Sequence, residues 1–175
     1  RALAKAIYET FTTFVGNMLY ISTQEDMHER MPIPEMESPQ KIIQNTSLAK
    51  AYQQINQPLL YLNDKKYILE NVIIKMKVQG NFIFSYYALD DIRITLNQKW
   101  LKEGRFLESD ILLESAQYYE TDTRANLHFY GAYTNSDKSY VGSAIVESSA
   151  IYVTITNIQD ISYIDQILND LIFYP

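Results

Sequence analysis

Fifteen tyrosines and no cysteine set the terms on which this chain folds. Without cysteine there are no disulfides, no thiolate chemistry and no Cys-based zinc site. Tyrosine joins a large apolar face to a polar tip. It suits strands with one wet face, and it suits interfaces. Seven Phe and one Trp extend the aromatic bias, and five glycines leave little material for a phosphate-cradling loop.

A length of 175 residues accommodates one domain, or one domain with an appended helix. The 47% of hydrophobic residues exclude wholesale disorder. The formal net charge is −6. Basic residues scatter, as in Lys65–Lys66 and Lys75/Lys77, which argues against a nucleic-acid partner. No run of about 18 apolar residues occurs, so no segment reads as a membrane-spanning helix. With two histidines, His28 and His128, neither a multi-histidine metal site nor a cofactor is expected.

The spacing of Ala4, Ile7, Phe11, Phe14, Met18 and Ile21, widened by Val15 and Leu19, predicts an amphipathic helix over residues 1–22. Arg1 and Lys5 oppose the dipole of its first turn, and no Ser, Thr, Asp or Asn caps it. The segment is therefore expected to be the lower end of a longer helix. Residues 23–40 read as an acidic linker interrupted by Pro32, Pro34 and Pro39, with His28 a solvated residue among Glu25, Asp26 and Glu29. A second helix is expected over 40–57, closed by Pro58. From Tyr67 the pattern turns to strands, with a turn at Gln79-Gly80-Asn81.

Residues 89–103 admit two readings. Asp90, Asp91, Lys99, Lys102 and Gly104 fit the ends of a helix, whereas Ile92 to Asn97 alternate like a strand; the end signals favour the helix. Further strands are expected at 111–120, 124–134, 140–147 and 149–157, with Ile151, Val153 and Ile155 inward. A final helix follows Asp160. The chain thus reads as α+β: N-terminal helices packed on an antiparallel sheet of about five to seven strands, with a C-terminal helix. Residues 1–40 form an N-terminal helix and linker, and residues 41–175 the α+β domain.

The search for chemistry finds little. There is no Gly-x-Ser-x-Gly elbow, and His128 reads as a polar-face strand residue rather than a base. Asp90 and Asp91 diverge by about 100° on a helix. Glu108, Asp110 and Glu114 read as solvated acids. Asn45-Thr46-Ser47 matches a glycosylation pattern that matters only in a eukaryotic secretory setting. No catalytic or metal-ligating residue is assigned. Tyr118, Tyr130, Tyr140 and Tyr152 are expected on neighbouring strands, either as a platform for a partner or a sugar or, in the favoured reading, as a sheet face partly covered by the first two helices with the hydroxyls at its rim.

Helix, linker and Tyr-rich sheet in this order resemble, in architecture alone, the soluble parts of type IV pilins and pseudopilins. The units between 67 and 134 resemble membrane-tethered pilus or secretion alignment proteins in the same limited sense. The resemblance implies a non-catalytic assembly subunit, extracytoplasmic or at the cell surface. Its membrane contact would come only from a segment outside this chain. It would dock a protein partner or a second copy through Ile7, Phe11, Phe14, Met18, Tyr118, Tyr130 and Tyr152. The alternative expectation is a ligand-binding module for a glycan or a small apolar molecule.

Overall fold

A two-residue period governs most of the chain. Ile92, Ile94, Leu96, Gln98 and Trp100 are buried, while Arg93, Thr95, Asn97 and Lys99 between them are not. That is the pleat of a strand covered on one face. The structure, a computed structural model, describes residues 10–23, 39–78, 80–101, 108–146 and 149–174.

In chain order the elements are β1 (Phe11–Val15), β2 (Met18–Ser22), β3 (Lys41–Ile43), α1 (Leu48–Ile55), β4 (Leu59–Leu62), β5 (Ile68–Lys77), β6 (Gly80–Leu89) and β7 (Ile92–Leu101). There follow β8 (Glu108–Leu112), β9 (Gln117–Asp122), β10 (His128–Thr134), β11 (Ser139–Val146), β12 (Ser149–Thr156), α2 (Ser162–Asn169) and β13 (Leu171–Tyr174). Among the described residues, eight strands form the main sheet in the order β3-β5-β6-β7-β12-β11-β10-β9. β1-β2-β8 form a small sheet, and β13-β4 a pair. The pairings are antiparallel.

The inner face of the main sheet carries the largest apolar cluster. Tyr87, Ile94, Leu96, Phe129, Tyr140 and Val153 meet Leu60 and Leu62 of β4 and Ile164, Ile167 and Leu168 of α2. Toward β5, α1 covers the same face with Ala51 and Ile55 against Val72, Ile74 and Ile83. The outer face is covered by the small sheet over β10 and β11, where Leu19, Ile21 and Ile111 meet Ala132, Tyr130 and Ile145.

The expected α+β layering is overturned. The fold is mostly β, with two eight-residue helices among the described residues and no N-terminal helix packed on the sheet. Residues 11–22 form the β1–β2 hairpin. Gly16 takes φ +58 at the first of two turn residues, the place a tight hairpin reserves for a left-handed glycine. Thr12, Thr13, Val15 and Ile21 favour the strand, and β8 supplies a distant partner that a local helix pattern does not reveal. Ile7 and His28 lie outside the described residues.

The second expected helix shrinks to α1. β3 occupies 41–43, Asn45 turns at φ 51, and the Ser47 side chain accepts from the Lys50 N–H at 3.2 Å to cap the helix. Residues 92–101 are strand β7, because β6 and β12 complete its hydrogen bonding on both sides. The final helix is α2, with Ile164, Ile167 and Leu168 inward, but Leu171 belongs to the strand after it.

Backbone groups at the edge of β4 are met by side chains of the inner face. The Leu60 N–H donates to Gln98 Oε1 at 2.8 Å, and the Leu62 N–H donates to the Tyr87 hydroxyl at 3.3 Å. The tightest packing lies over β10 and β11. Gly131 and Gly142 are cross-strand partners, and a Cβ built on either falls 2.3 Å from the Tyr140 side chain. The ring therefore lies directly on both backbones. Gly131→Ala is expected to lower unfolding stability by about 1–3 kcal/mol through overpacking. Tyr140→Phe, which removes a buried hydroxyl without a partner, is expected to be neutral or stabilising. Denaturant midpoints of the two variants check this, and equal losses would contradict it.

Candidate binding face

Alternation along each strand assigns the outer-face residues, and the registers join them into rows. One row runs Glu120, Tyr130, Ser143, Tyr152, Asn97, Phe84 and Ile73 from β9 to β5. Tyr118, Tyr130 and Tyr152 therefore share the outer face. Tyr152 lies two strands from Tyr130, about 9.5 Å at ordinary strand spacing. Tyr140 sits on the inner face and is fully buried.

The hairpin also splits the apolar stripe expected near the N-terminus. Phe14 is opposite Leu19 and Ile111, so it points toward the main sheet. Phe11 and Met18 point to the other side of the small sheet. Residues three apart share a helix face but lie on opposite faces of a strand, which is why this stripe does not survive as one surface. Phe14 overhangs β9 and meets Tyr118 edge-on, with ring centroids 6.0 Å apart, while remaining 59% exposed. Phe14, Tyr118 and Tyr130 thus gather at one corner.

That corner is acidic. The Tyr118 hydroxyl donates to the Glu120 carboxylate. His128 Nδ1 lies 2.5 Å from Asp122 Oδ1, its Nε2 lies 3.3 Å from Glu120 Oε2, and its ring stands edge-on to Tyr130 at 4.5 Å. These pairs are solvent-exposed, so each contributes about 0–1 kcal/mol. Burial, and then the Glu120 and Asp122 charges, raise the Tyr130 phenol above its usual range. Burial, and then the bond to Glu120, raise Tyr118. Among the described residues His128 bonds to carboxylates and to no hydroxyl nucleophile. Among the described residues no group of three or more His, Asp or Glu is placed to hold a metal.

Asp90 and Asp91 are turn residues. Asp90 takes φ +52; its carbonyl accepts from Arg93 at 2.6 Å, and the Asp91 carbonyl accepts from Asn157 at 3.1 Å. They line an open cleft of about 450 Å³ with Asn157, Gln159, Tyr163 and Gln166. Lys66, Leu89 and Ile92 complete its wall.

The other half of the outer face was not anticipated. Lys75 lies 4.9 Å from the Phe84 ring, Lys77 lies 4.9 Å from Phe82, and Lys99 lies 5.7 Å from Phe82. Lysines that scatter in the sequence converge in the sheet. The signal was present as Lys75-x-Lys77, a turn, and Phe82-x-Phe84, which a hairpin register brings side by side.

No protein-family model, no curated protein and no solved structure matches the chain. Its functional reading therefore rests on geometry.

Two phenols give the fold a defined alkaline limit. Burial pushes Tyr87 up to about 12. Burial, and then the bond to Asp165, push Tyr119 up to about 12. The usual value is about 10. The unfolded chain therefore ionises first as pH rises. The stabilisation is complete below pH of about 10 and is lost as pH climbs through about 12. Denaturant midpoints taken across this window are expected to fall, with part of the tyrosinate absorbance delayed. All phenols titrating near 10 with a constant midpoint would contradict this.

Proposed function

We propose that this protein is a non-catalytic assembly module that docks another protein chain through the acidic aromatic corner formed by β1, β9 and β10. The observation that carries the reading is Phe14, a large apolar side chain 59% exposed against Tyr118 at the end strand of the main sheet. Among the described residues β9 pairs with β10 alone and is the end strand of the main sheet. Exposed aromatics beside an end strand characterise docking surfaces more than catalytic clefts. Glu120 and Asp122 favour a partner that brings cations.

The membrane-tethered, pilus-like form of this idea rested on an amphipathic helix over 1–22, and residues 11–22 now form a hairpin. No helix among the described residues is long and apolar enough to cross a membrane. The proposal is therefore confined to docking. Sedimentation of the purified chain over a concentration series, with and without Phe14→Asp, tests its self-association form. The wild type is expected to associate and the variant to remain monomeric with its thermal midpoint kept, since Phe14 lies outside the buried core. A wild type that stays monomeric at high concentration would remove self-association. Partner capture that is insensitive to Phe14→Asp would remove the corner as the docking site.

A further inference from the structure

The end strands of the main sheet, β9 and β3 among the described residues, carry opposite charge. β9 presents Glu120 and Asp122 on the outer face, and the Asp122 side chain is 85% exposed. β3 carries Lys41, and Lys75 of β5 is the register partner of Ile42. Ile42 therefore shares the outer face with Lys75, and it is 49% exposed. One end of the sheet thus shows an apolar side chain with a cation behind it. The other end shows the exposed aromatics Phe14 and Tyr118 with carboxylates beside them.

Strand direction matches as well. The main sheet has eight strands, and each neighbouring pair is antiparallel. Direction alternates across it, so β3 and β9 run opposite ways. A second copy set beyond β9 in the same orientation would offer its β3 as an antiparallel continuation of the sheet. The outer faces of the two copies would then lie on one side. Ile42 of the second copy would meet Phe14 and Tyr118. Lys75 of the second copy would stand two strand spacings from Glu120 and Asp122, about 9.5 Å. That is within one screening length at about 0.1 M salt, so the charges steer the approach while the apolar contact holds it.

Like-with-like pairings are disfavoured. Two copies joined through β9 would set Glu120 and Asp122 against the same carboxylates, and two joined through β3 would set lysines against lysines. The charge pattern therefore selects a head-to-tail contact over a two-fold pair.

We infer that the docking corner receives the β3 edge of a second copy of this chain, so that the protein assembles head to tail by extending its main sheet. This rests on the docking corner proposed above and names its partner. A head-to-tail contact repeated along a twisted sheet grows into an open chain.

Sedimentation velocity of the wild type, of Phe14→Asp, of Ile42→Asp and of an equal mixture of the two variants tests it. Phe14→Asp spoils the corner and keeps β3. Ile42→Asp sets a carboxylate against Glu120 and Asp122 and keeps the corner. Both side chains are exposed, so thermal midpoints are expected to be kept. The wild type is expected to form species larger than dimers that grow with concentration. Each variant alone is expected to be monomeric, and the mixture to form dimers and stop there. That dimer takes its β3 from the Phe14→Asp copy, so a frayed β3 in Ile42→Asp does not blur the result. Lys75→Glu is expected to weaken association by at least about threefold. A wild type that stays monomeric or stops at dimers, a monomeric mixture, or undiminished association of Lys75→Glu would overturn the inference. Association blocked by Phe14→Asp and not by Ile42→Asp would overturn it and leave the docking corner standing. Association blocked by Ile42→Asp alone would remove the corner as well.

Discussion

A tyrosine ring lying flat on two glycines sets how the layers of this protein meet. Tyr140 covers the backbones of Gly131 and Gly142, a contact that any Cβ would close. With the ring down, its edge meets Tyr119 at 6.3 Å and 83°. Tyr119 donates to Asp165 at 2.8 Å, and Thr121 donates to the same carboxylate at 2.9 Å. Asp165 belongs to α2. At the far end of that helix Asp170 accepts from Tyr67 at 2.5 Å and pairs with Lys66 at 3.0 Å. An eight-residue helix is not stable alone. This one is held by three buried apolar side chains, each contributing about 1.5–3 kcal/mol of transfer energy, and by a carboxylate near either end.

The two faces of the main sheet are covered differently. α1, α2 and the β4–β13 pair seal the inner side, and buried hydrogen bonds from Gln98 and Tyr87 hold β4 in place. The small sheet covers the outer side over β10 and β11. What remains divides by charge. Glu120 and Asp122 mark the β9 end, and Lys75, Lys77 and Lys99 the β5 end, so a net charge of −6 conceals a face with two opposite poles. At the β9 end the acids and the histidine satisfy one another.

The last two strands of the sheet, β11 and β12, were legible because their alternation is strict and they are neighbours in sequence. By contrast, the single strand expected over 111–120 divides into β8 and β9 of different sheets, and the one expected from 124 begins at His128. Ile151, Val153 and Ile155 announce their face, and β11 precedes β12 by a short turn. The failures share one cause. The stripe over residues 1–22 fits a helical period, and Asp90, Asp91 and Gly104 look like helix ends, yet in both places distant strands supply the hydrogen bonds that decide the outcome. β2 is completed by β8, some ninety residues away, and β7 by β12, more than fifty away. Local spacing carries no record of such partners. The Gly16-Asn17 pair between two strand-prone runs is the one local hairpin signal in this segment. Shared placement of Tyr118 and Tyr130 follows from strand parity. The lysine–phenylalanine surface requires the register, which composition hides.

Proton NMR of the folded chain tests the seating of Tyr140 directly. A ring stacked on two glycines shifts their Hα resonances upfield through its ring current and gives nuclear Overhauser contacts to both. The expected spectrum shows Gly131 and Gly142 displaced together, with both displacements abolished in Tyr140→Leu. Ordinary glycine positions, with ring contacts to neither residue, would contradict the packing on which the placement of α2 depends.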